Sequence, residues 1–491
     1  VALSAFAEAT TAKAEAKDEA PAEPAPPAEE PAPSDPYKGH SNFVPRPELE
    51  APRFNSPVEQ SARGKGVTIA ILDSGVAPHP DFGERYLGQI DFINGRSLPY
   101  DDNGHGTHVA GCAAGSGAID PRYAGPAQAA NILSMKVLSG SGSGATSGIV
   151  KAIQTAVEMK EDLNIRVINM SLGGPASKNG EKDPINMAIK AAKEAGITVV
   201  VAAGNEGPDP KTVGSPGNSL HAITVGALDD KNTADRSDDV PASFSSRGPT
   251  PDGVTKPDVM APGVSIMAPL SMQSETYERA EASAAVHKVI QALDNMPFAV
   301  LQQQPNELFA AAGIGPATAE KIKLKEEISD VIFTKLLEAT SRTPLEEHGA
   351  YVGLPGTSMA TPIVAGVAAA MIGANPDLTP DLVQKILTDT AEKLPDRRLG
   401  PNTQGAGAIN AKAAILAALQ TEVEKPAGPT QEELLAAALK ELGLSPEDVQ
   451  IVEEEPKAEK PAEEPKPEEP KNEGEAKPAK PKKTRKRKGV A

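Results

Sequence analysis

VTIAILDSG, residues 67–75, opens with six apolar or β-branched residues, Val67 to Leu72, and breaks at Asp73, Ser74 and Gly75. So short and unbroken a run, with no polar alternation, predicts a strand buried on both faces. Comparable runs follow at 132–138, 167–172, 197–203 and 222–225. Between them lie helical patterns, SGIVKAIQTAVEMK from Ser147 and PINMAIKAAKEAG from Pro184. Strand and helix in alternation predict an α/β fold, a parallel sheet with helices on both faces. In such sheets, functional groups gather at the carboxyl ends of the strands. Asp73 directly follows the first run and Asn205 ends ITVVVAAGN, so both stand where chemistry is expected.

Two further stretches carry reactive side chains: NGHGTHVAG, 103–111, around His105, and GTSMATP, 356–362, around Ser358. A neutral serine hydroxyl is a weak nucleophile. It needs an imidazole to take its proton and an acid to orient that imidazole, so Asp73, His105 and Ser358 together are the parts of a nucleophilic serine site. His105 opens a helix pattern nearly bare of bulk, suited to close packing on the sheet. Ser358 stands at the head of a second, TPIVAGVAAAMIGA, with Pro362 expected in its first turn and nowhere deeper. Unpaired N–H groups and the positive dipole end at such a helix start favour an anion.

These stretches, with VVVAAGNEG around Asn205 between the second and third, resemble the subtilisin-like serine proteases, the subtilases, from about Gly66 to Leu419 with one long interruption. The resemblance implies serine endopeptidase chemistry through an acyl-enzyme, with Asp73, His105 and Ser358 as triad. Asn205 and the Ser358 backbone N–H would receive the oxyanion. Substrate would add as a strand between SGSGA, including Ser141, Gly142, Ser143 and Gly144, and SLGG, which is Ser171, Leu172, Gly173 and Gly174. Ala202, Ala203, Gly204 and Gly214 match the walls of a roomy primary pocket for large apolar side chains. Glu206 at its rim, and Asp101 and Asp102 beside His105, would accommodate basic ones. Two rival readings are a dedicated processing protease and a catalytically weak scaffold that uses its interruption for binding. No cofactor is needed for the chemistry. Calcium enters only as a structural ion: Asp81 matches a family calcium position, but GSGAIDPRYAG replaces the loop that completes that site, so none is expected there.

Two neighbours of His105 have plainer readings. His108 makes an HxxH pair but lacks the HExxH glutamate, so a structural role is expected rather than a metal. Cys112 reads as a packing residue near the same helix face, where a bulky thiol reagent would press on the His105 imidazole.

The interruption spans residues 270–348 and reads as helical: Ile328, Val331, Ile332 and Leu336 follow a 3.6 period. Its GIGPATAEKI, 313–322, is similar to a helix-hairpin-helix motif, which can present N–H groups to a nucleic-acid phosphate. Acidic and basic residues are mixed there, so a helical subdomain that shields or gates the cleft is the favoured expectation.

Composition sets the ends apart from the 55–420 catalytic domain. Residues 1–50 are rich in Ala, Pro and Glu and 453–491 in Glu, Pro and Lys, too poor in apolar area to offset ordering entropy, so both are expected to be disordered. Residues 1–50 are also too polar to form a folded inhibitory prosegment, and 421–452 predict a short helical segment. The net charge of −18 argues against a general nucleic-acid binder, although the tail ends in the basic run 480–488. One cysteine excludes an internal disulfide, and no transmembrane segment is read. Protein or peptide substrates are the partners expected. The compartment leans to secreted or cell envelope by the resemblance alone, with the cytoplasm left open, and the oligomeric state is left open too.

Overall fold

The computed structural model describes residues 62–423 apart from 177–178, 234, 341–344 and 346–348. The chain divides into two compact units, 1–424 and 425–491, and every described residue lies in the first. The expectations for residues 1–50, for 453–491 and for nearly all of 421–452 therefore fall outside the described residues.

Eight strands form the sheet: β1 (Thr68–Asp73), β2 (Tyr86–Asp91), β3 (Asn131–Lys136), β4 (Ile165–Met170), β5 (Thr198–Ala202), β6 (Ile223–Asp229), β7 (Val240–Pro241) and β8 (Val259–Pro262). Their order is β2-β3-β1-β4-β5-β6-β7 with β8 also paired to β6, and only the β6–β7 pair is antiparallel. Alternate residues of β1 feed two separate cores. Ile69 and Ile71 pack with α1 (His105–Ala114) and with the long helix before residue 374, whereas Ala70 and Leu72 pack with α2 (Thr146–Glu158) and α3 (Pro184–Glu194). That is why the run lacks polar alternation: both faces of the strand meet apolar helix.

After β8 the chain enters β9 (Ile266–Pro269) and returns through β10 (Tyr351–Leu354), which pair antiparallel, Val352 opposite Ala268. Between them run α4 (Glu275–Asp294), a short turn Phe298–Leu301, α5 (Asn306–Ala311), α6 (Pro316–Leu324) and α7 (Glu326–Thr340). These helices have a core of their own that includes Ile290, Leu293, Phe309, Ile322 and Phe333. Ile332 and Leu336 of the expected stripe pack against this core, and Val331 departs from it. Val331 is 55% exposed, while Phe333 and Ser329 are buried. In the Gly313 hairpin, Ile314 is buried and Lys323 is committed internally, its Nζ 2.7 Å from Asn306 Oδ1 and over the Phe309 ring.

α8 (Thr357–Ala374) then crosses beneath the sheet. It is long and apolar enough to span a membrane, but 83% of it is buried in the protein core. α1 and α8 touch closely because glycine sits at the contact: a Cβ at Gly366 would lie 2.4 Å from the Ala113 carbonyl oxygen. At Gly106, next to His105, it would lie 2.0 Å from the carbonyl oxygen of Gly75.

His108 ties this framework to the β9–β10 ribbon. Its Nε2 donates to the carbonyl oxygens of Ile266 and Val352, one on each strand, at 2.9 Å each. The Cys112 sulfur lies 3.5 Å from Nδ1 of this same ring. The thiol therefore neighbours His108 rather than the His105 imidazole, because residues four apart stack on a helix and seven apart bring it a further turn away. Burial pushes the Cys112 thiol pKa up and the His108 pKa down to about 3. The folded ring thus stays neutral where an unfolded histidine, titrating near 6.5, takes a proton. Stability should therefore fall as pH drops from about 6.5 toward 3, by at most about 1.4 kcal/mol per pH unit from this residue. Denaturant unfolding at neutral and acid pH checks this: His108→Gln should lose that share of the slope, and an unchanged slope contradicts it.

Candidate active site

Asp73 ends β1 fully buried, where its Oδ1 accepts from the Ser74 N–H and from His105 Nδ1, both at 2.7 Å. Its Oδ2 is buried without a partner among the described residues. His105 is the first residue of α1, and a buried carboxylate organises that start. Asp101 accepts from the N–H groups of Gly104 and Thr107 at 2.8 Å, from the Thr107 hydroxyl at 2.6 Å and from Ser74 Oγ at 2.9 Å. Ser74 Oγ in turn accepts from the Gly106 N–H at 2.9 Å, so the end of β1 and the start of α1 are one hydrogen-bonded unit. The His105 side chain remains 27% exposed. Burial works to lower its pKa, but the Asp73 charge and hydrogen bond outweigh burial and hold it above the ordinary histidine value.

The parallel register sets Lys136 opposite Asp73, and sequence reasoning passed over it. Its ammonium is fully buried, donating to the Ser74 carbonyl oxygen and to Asp102 Oδ1, the latter at 2.7 Å. Lys136 thus engages one oxygen of Asp102, whose side chain stays 43% exposed. The expectation that Asp101 receives basic substrate side chains is corrected, because it is buried under five donors.

Ser358 is the second residue of α8 and its Oγ donates to the Ser171 carbonyl oxygen at 3.2 Å. Among the described residues, neither that Oγ nor the Ser358 N–H is bonded to His105 or to any carbonyl of its own helix. Pro362 lies in the second turn, not the first as expected. Without an N–H it cannot bond the Ser358 carbonyl oxygen one turn back. Ser171 Oγ donates to that oxygen instead, at 2.9 Å. The proline is tolerated because a side chain from outside the helix replaces the missing donor.

Asn205 is exposed just beyond β5, and its Oδ1 accepts from the Thr357 N–H at 2.9 Å and the Thr357 hydroxyl at 3.0 Å. Two donors on one oxygen fix the amide orientation and leave Nδ2 beside Gly356, 3.7 Å from where a Cβ there would stand. Thr357 was missed from sequence; its place immediately before Ser358 is the signal that could have found it.

A cleft of about 620 Å³ runs past His105 and is lined by Gly142, Ser143, Gly144, Ser171, Leu172, Gly173 and Gly174 of the expected substrate segments. Ser141, Ala202, Ala203, Gly204 and Gly214 are not among its lining residues, nor are Asp73, Asn205 and Ser358. Leu138, Thr146, Ile149, Asp183 and Ile185 line it and were not foreseen; they sit at the ends of β3, α2 and α3 beside the glycine segments. The two expected edges are also less free than anticipated. The Gly142 N–H donates to the Ser139 carbonyl oxygen and the Ser139 N–H to that of Ser143, so Ser141 and Gly142 lie in a tight turn. Gly174 exchanges both backbone bonds with Ser215, at 2.8 and 2.9 Å, and Gly214 packs against it.

Asp81 does not fit a calcium ion. Its carboxylate is filled by hydrogen-bond donors: the N–H groups of Gly117 and Ala118 at 3.1 and 3.0 Å and the Tyr351 hydroxyl at 2.7 Å. Among the described residues, no group of three or more His, Cys, Asp or Glu side chains is placed to hold a metal.

A carboxylate bonded to an imidazole at the carboxyl edge of a parallel sheet, and a serine at a helix head, are the groups that serine hydrolases use. The profile of the subtilase family matches residues 64–407, and the chain belongs to that family of subtilisin-like serine endopeptidases. It is 40% identical over 362 residues to serine protease AprX of Bacillus subtilis (strain 168), covering 72% of this chain and 67% of that one. It is 39% identical over 228 residues to subtilisin E of the same organism, covering 45% of this chain and 52% of that one, so the match spans about half of that relative. Among solved structures, an S41 psychrophilic protease aligns with a TM-score of 0.50 at 26% identity, over 70% of this chain and 91% of that one.

Proposed function

We propose that this chain cleaves peptide bonds within proteins through a covalent acyl-enzyme on Ser358. His105 takes the hydroxyl proton as Oγ attacks the carbonyl carbon, then gives it to the departing amine; in the second half it takes a proton from the attacking water and gives it to Ser358 Oγ as the ester bond breaks and the acid leaves. Asp73 fixes the Nε2-accepting tautomer and stabilises the imidazolium. Attack requires Ser358 Oγ to leave the Ser171 carbonyl oxygen and donate to His105 Nε2. The observation that carries the reading is the 2.7 Å bond between His105 Nδ1 and a carboxylate with no solvent exposure. A serine-directed phosphonylating probe tests it: one adduct on Ser358, absent from Ser358→Ala, supports the assignment, and equal labelling of both chains rejects it.

Asn205 Nδ2 and the Ser358 N–H are the proposed oxyanion donors, with Thr357 holding the amide in place. Asn205→Ala should lower kcat by about 10²–10³-fold, the loss known for the equivalent donor of subtilisin, while KM changes little. Steady-state kinetics on a peptide amide decide it; unchanged kcat removes Asn205 from the site.

Substrate preference follows the cleft. Leu138, Ile149, Leu172 and Ile185 offer apolar walls to large side chains a few residues before the scissile bond. Backbone contacts along Leu172 and Gly173 read no side chains, which supports broad specificity. A cleavage-site profile with a strict acidic requirement would contradict this. The family resemblance favours a secreted or cell-envelope location and leaves the cytoplasm open.

A further inference from the structure

The helical insertion does not hang free of the catalytic centre. Its first residues grip the loop that precedes His105. Ser271 Oγ donates to the Asp101 carbonyl oxygen at 2.8 Å, and the Glu275 N–H donates to that of Asp102 at 3.2 Å. Thr276 donates twice to the Asn103 carbonyl oxygen, from its N–H at 3.2 Å and from Oγ1 at 2.6 Å. N–H groups in the first turn of α4, which a helix leaves unpaired, are thus spent on successive carbonyls of one loop. Ser274, the N-cap of α4, sits so close to Gly104 that a Cβ there would stand 2.5 Å from its Oγ.

Asn103 passes this grip on in two directions. Its Oδ1 accepts from the His105 N–H at 3.2 Å, and its Nδ2 donates to the Gly140 carbonyl oxygen at 2.8 Å. Gly140 belongs to the tight turn that leads into the cleft-lining residues Gly142 to Gly144. One asparagine therefore joins the backbone of the proposed base to one wall of the substrate cleft, and its own main chain is held by the insertion.

We infer that Thr276 is a positioning residue: through Asn103 it holds His105 and the Ser139–Gly144 cleft wall in register, so the insertion works as part of the active-site frame. This rests on reading His105 as the base. The inference predicts different losses for different substrates. A short amide that occupies only the serine and histidine should feel the loop alone; a peptide long enough to lie along Gly142–Gly144 should feel both.

The test compares the full chain with Thr276→Val, which keeps the shape and the N–H but removes the Oγ1 donor, and with Thr276→Ser, which keeps the donor. Amide hydrogen exchange is read over residues 101–105 and 139–144, and kcat and KM on a short chromogenic amide and on a six-residue peptide. Thr276→Val should speed exchange in both segments together and lower kcat/KM on the long peptide by about fivefold more than on the short amide, the scale of one hydrogen bond. Thr276→Ser should restore both. Unchanged local exchange with equal kinetics, or a fall in melting temperature with neither readout moved, overturns the inference. Exchange does not depend on turnover, so a native chain that neither labels nor cleaves would sink the enzyme reading and leave the exchange result to decide this one.

Discussion

Replacing Ser358 by alanine should lower kcat on a peptide amide by about 10⁶-fold, the scale seen when the serine or the histidine is removed from subtilisin. The size follows from the division of labour. Without Oγ there is no acyl-enzyme, and His105 has no hydroxyl to deprotonate; what remains is water attacking a carbonyl held near the Ser358 N–H and Asn205, worth about 10³–10⁴ over the uncatalysed rate. Folding should hardly notice. The hydroxyl makes one bond, to the Ser171 carbonyl oxygen, while the rest of the α8 head is held by Ser171 Oγ on the Ser358 carbonyl and by Thr357 on Asn205. Thermal unfolding measured beside kcat separates the two: lost turnover with a melting point within a few degrees of the native chain is expected. A variant that keeps a hundredth of native kcat would show the nucleophile to be elsewhere.

The parts of this site that lie in strands were legible because burial on two faces leaves a simple mark. VTIAIL had to be a central strand, and a polar residue directly after it had to sit at the carboxyl edge, which is where Asp73 is found. Residues three-dimensionally adjacent but far apart in the chain left no such mark. Nothing in GTSMATP announces that Pro362 would sit a full turn deeper than expected, since its tolerance depends on Ser171, nearly two hundred residues earlier. A 3.6 period tells that α7 has a buried face but not where its edge falls: Ile332 and Leu336 pack inward with Phe333, while Val331 faces out. The grip of Ser271, Glu275 and Thr276 on the His105 loop consists of bonds to main-chain oxygens, which carry no residue identity to be read. The turn at Ser139–Ser143 and the Gly174–Ser215 pairing were missed for the same reason: glycine permits an extended edge and a tight turn alike, and only the surrounding backbone chooses.

Asp73→Asn should cost about 10⁴-fold in kcat while leaving the site almost superimposable, because it changes one proton and few atoms. Oδ1 now accepts from both His105 Nδ1–H and the Ser74 N–H. An amide must satisfy those same two neighbours, and if its NH₂ faces the ring it can only donate. Nδ1 would then be the acceptor, the ring proton would move to Nε2, and the nitrogen facing Ser358 could no longer take the hydroxyl proton. Charge adds a second, separable effect. The Asp73 charge and hydrogen bond hold the His105 pKa above its ordinary value against the opposing pull of burial, so the neutral, working base of the native chain is reached only as pH rises through that elevated value. Removing the charge leaves burial to dominate, and the acid limb of the kcat/KM profile should move to lower pH even as its plateau collapses. Lower activity with an unmoved acid limb would mean that another group titrates there, and activity within tenfold of native would mean that Asp73 does not orient the base.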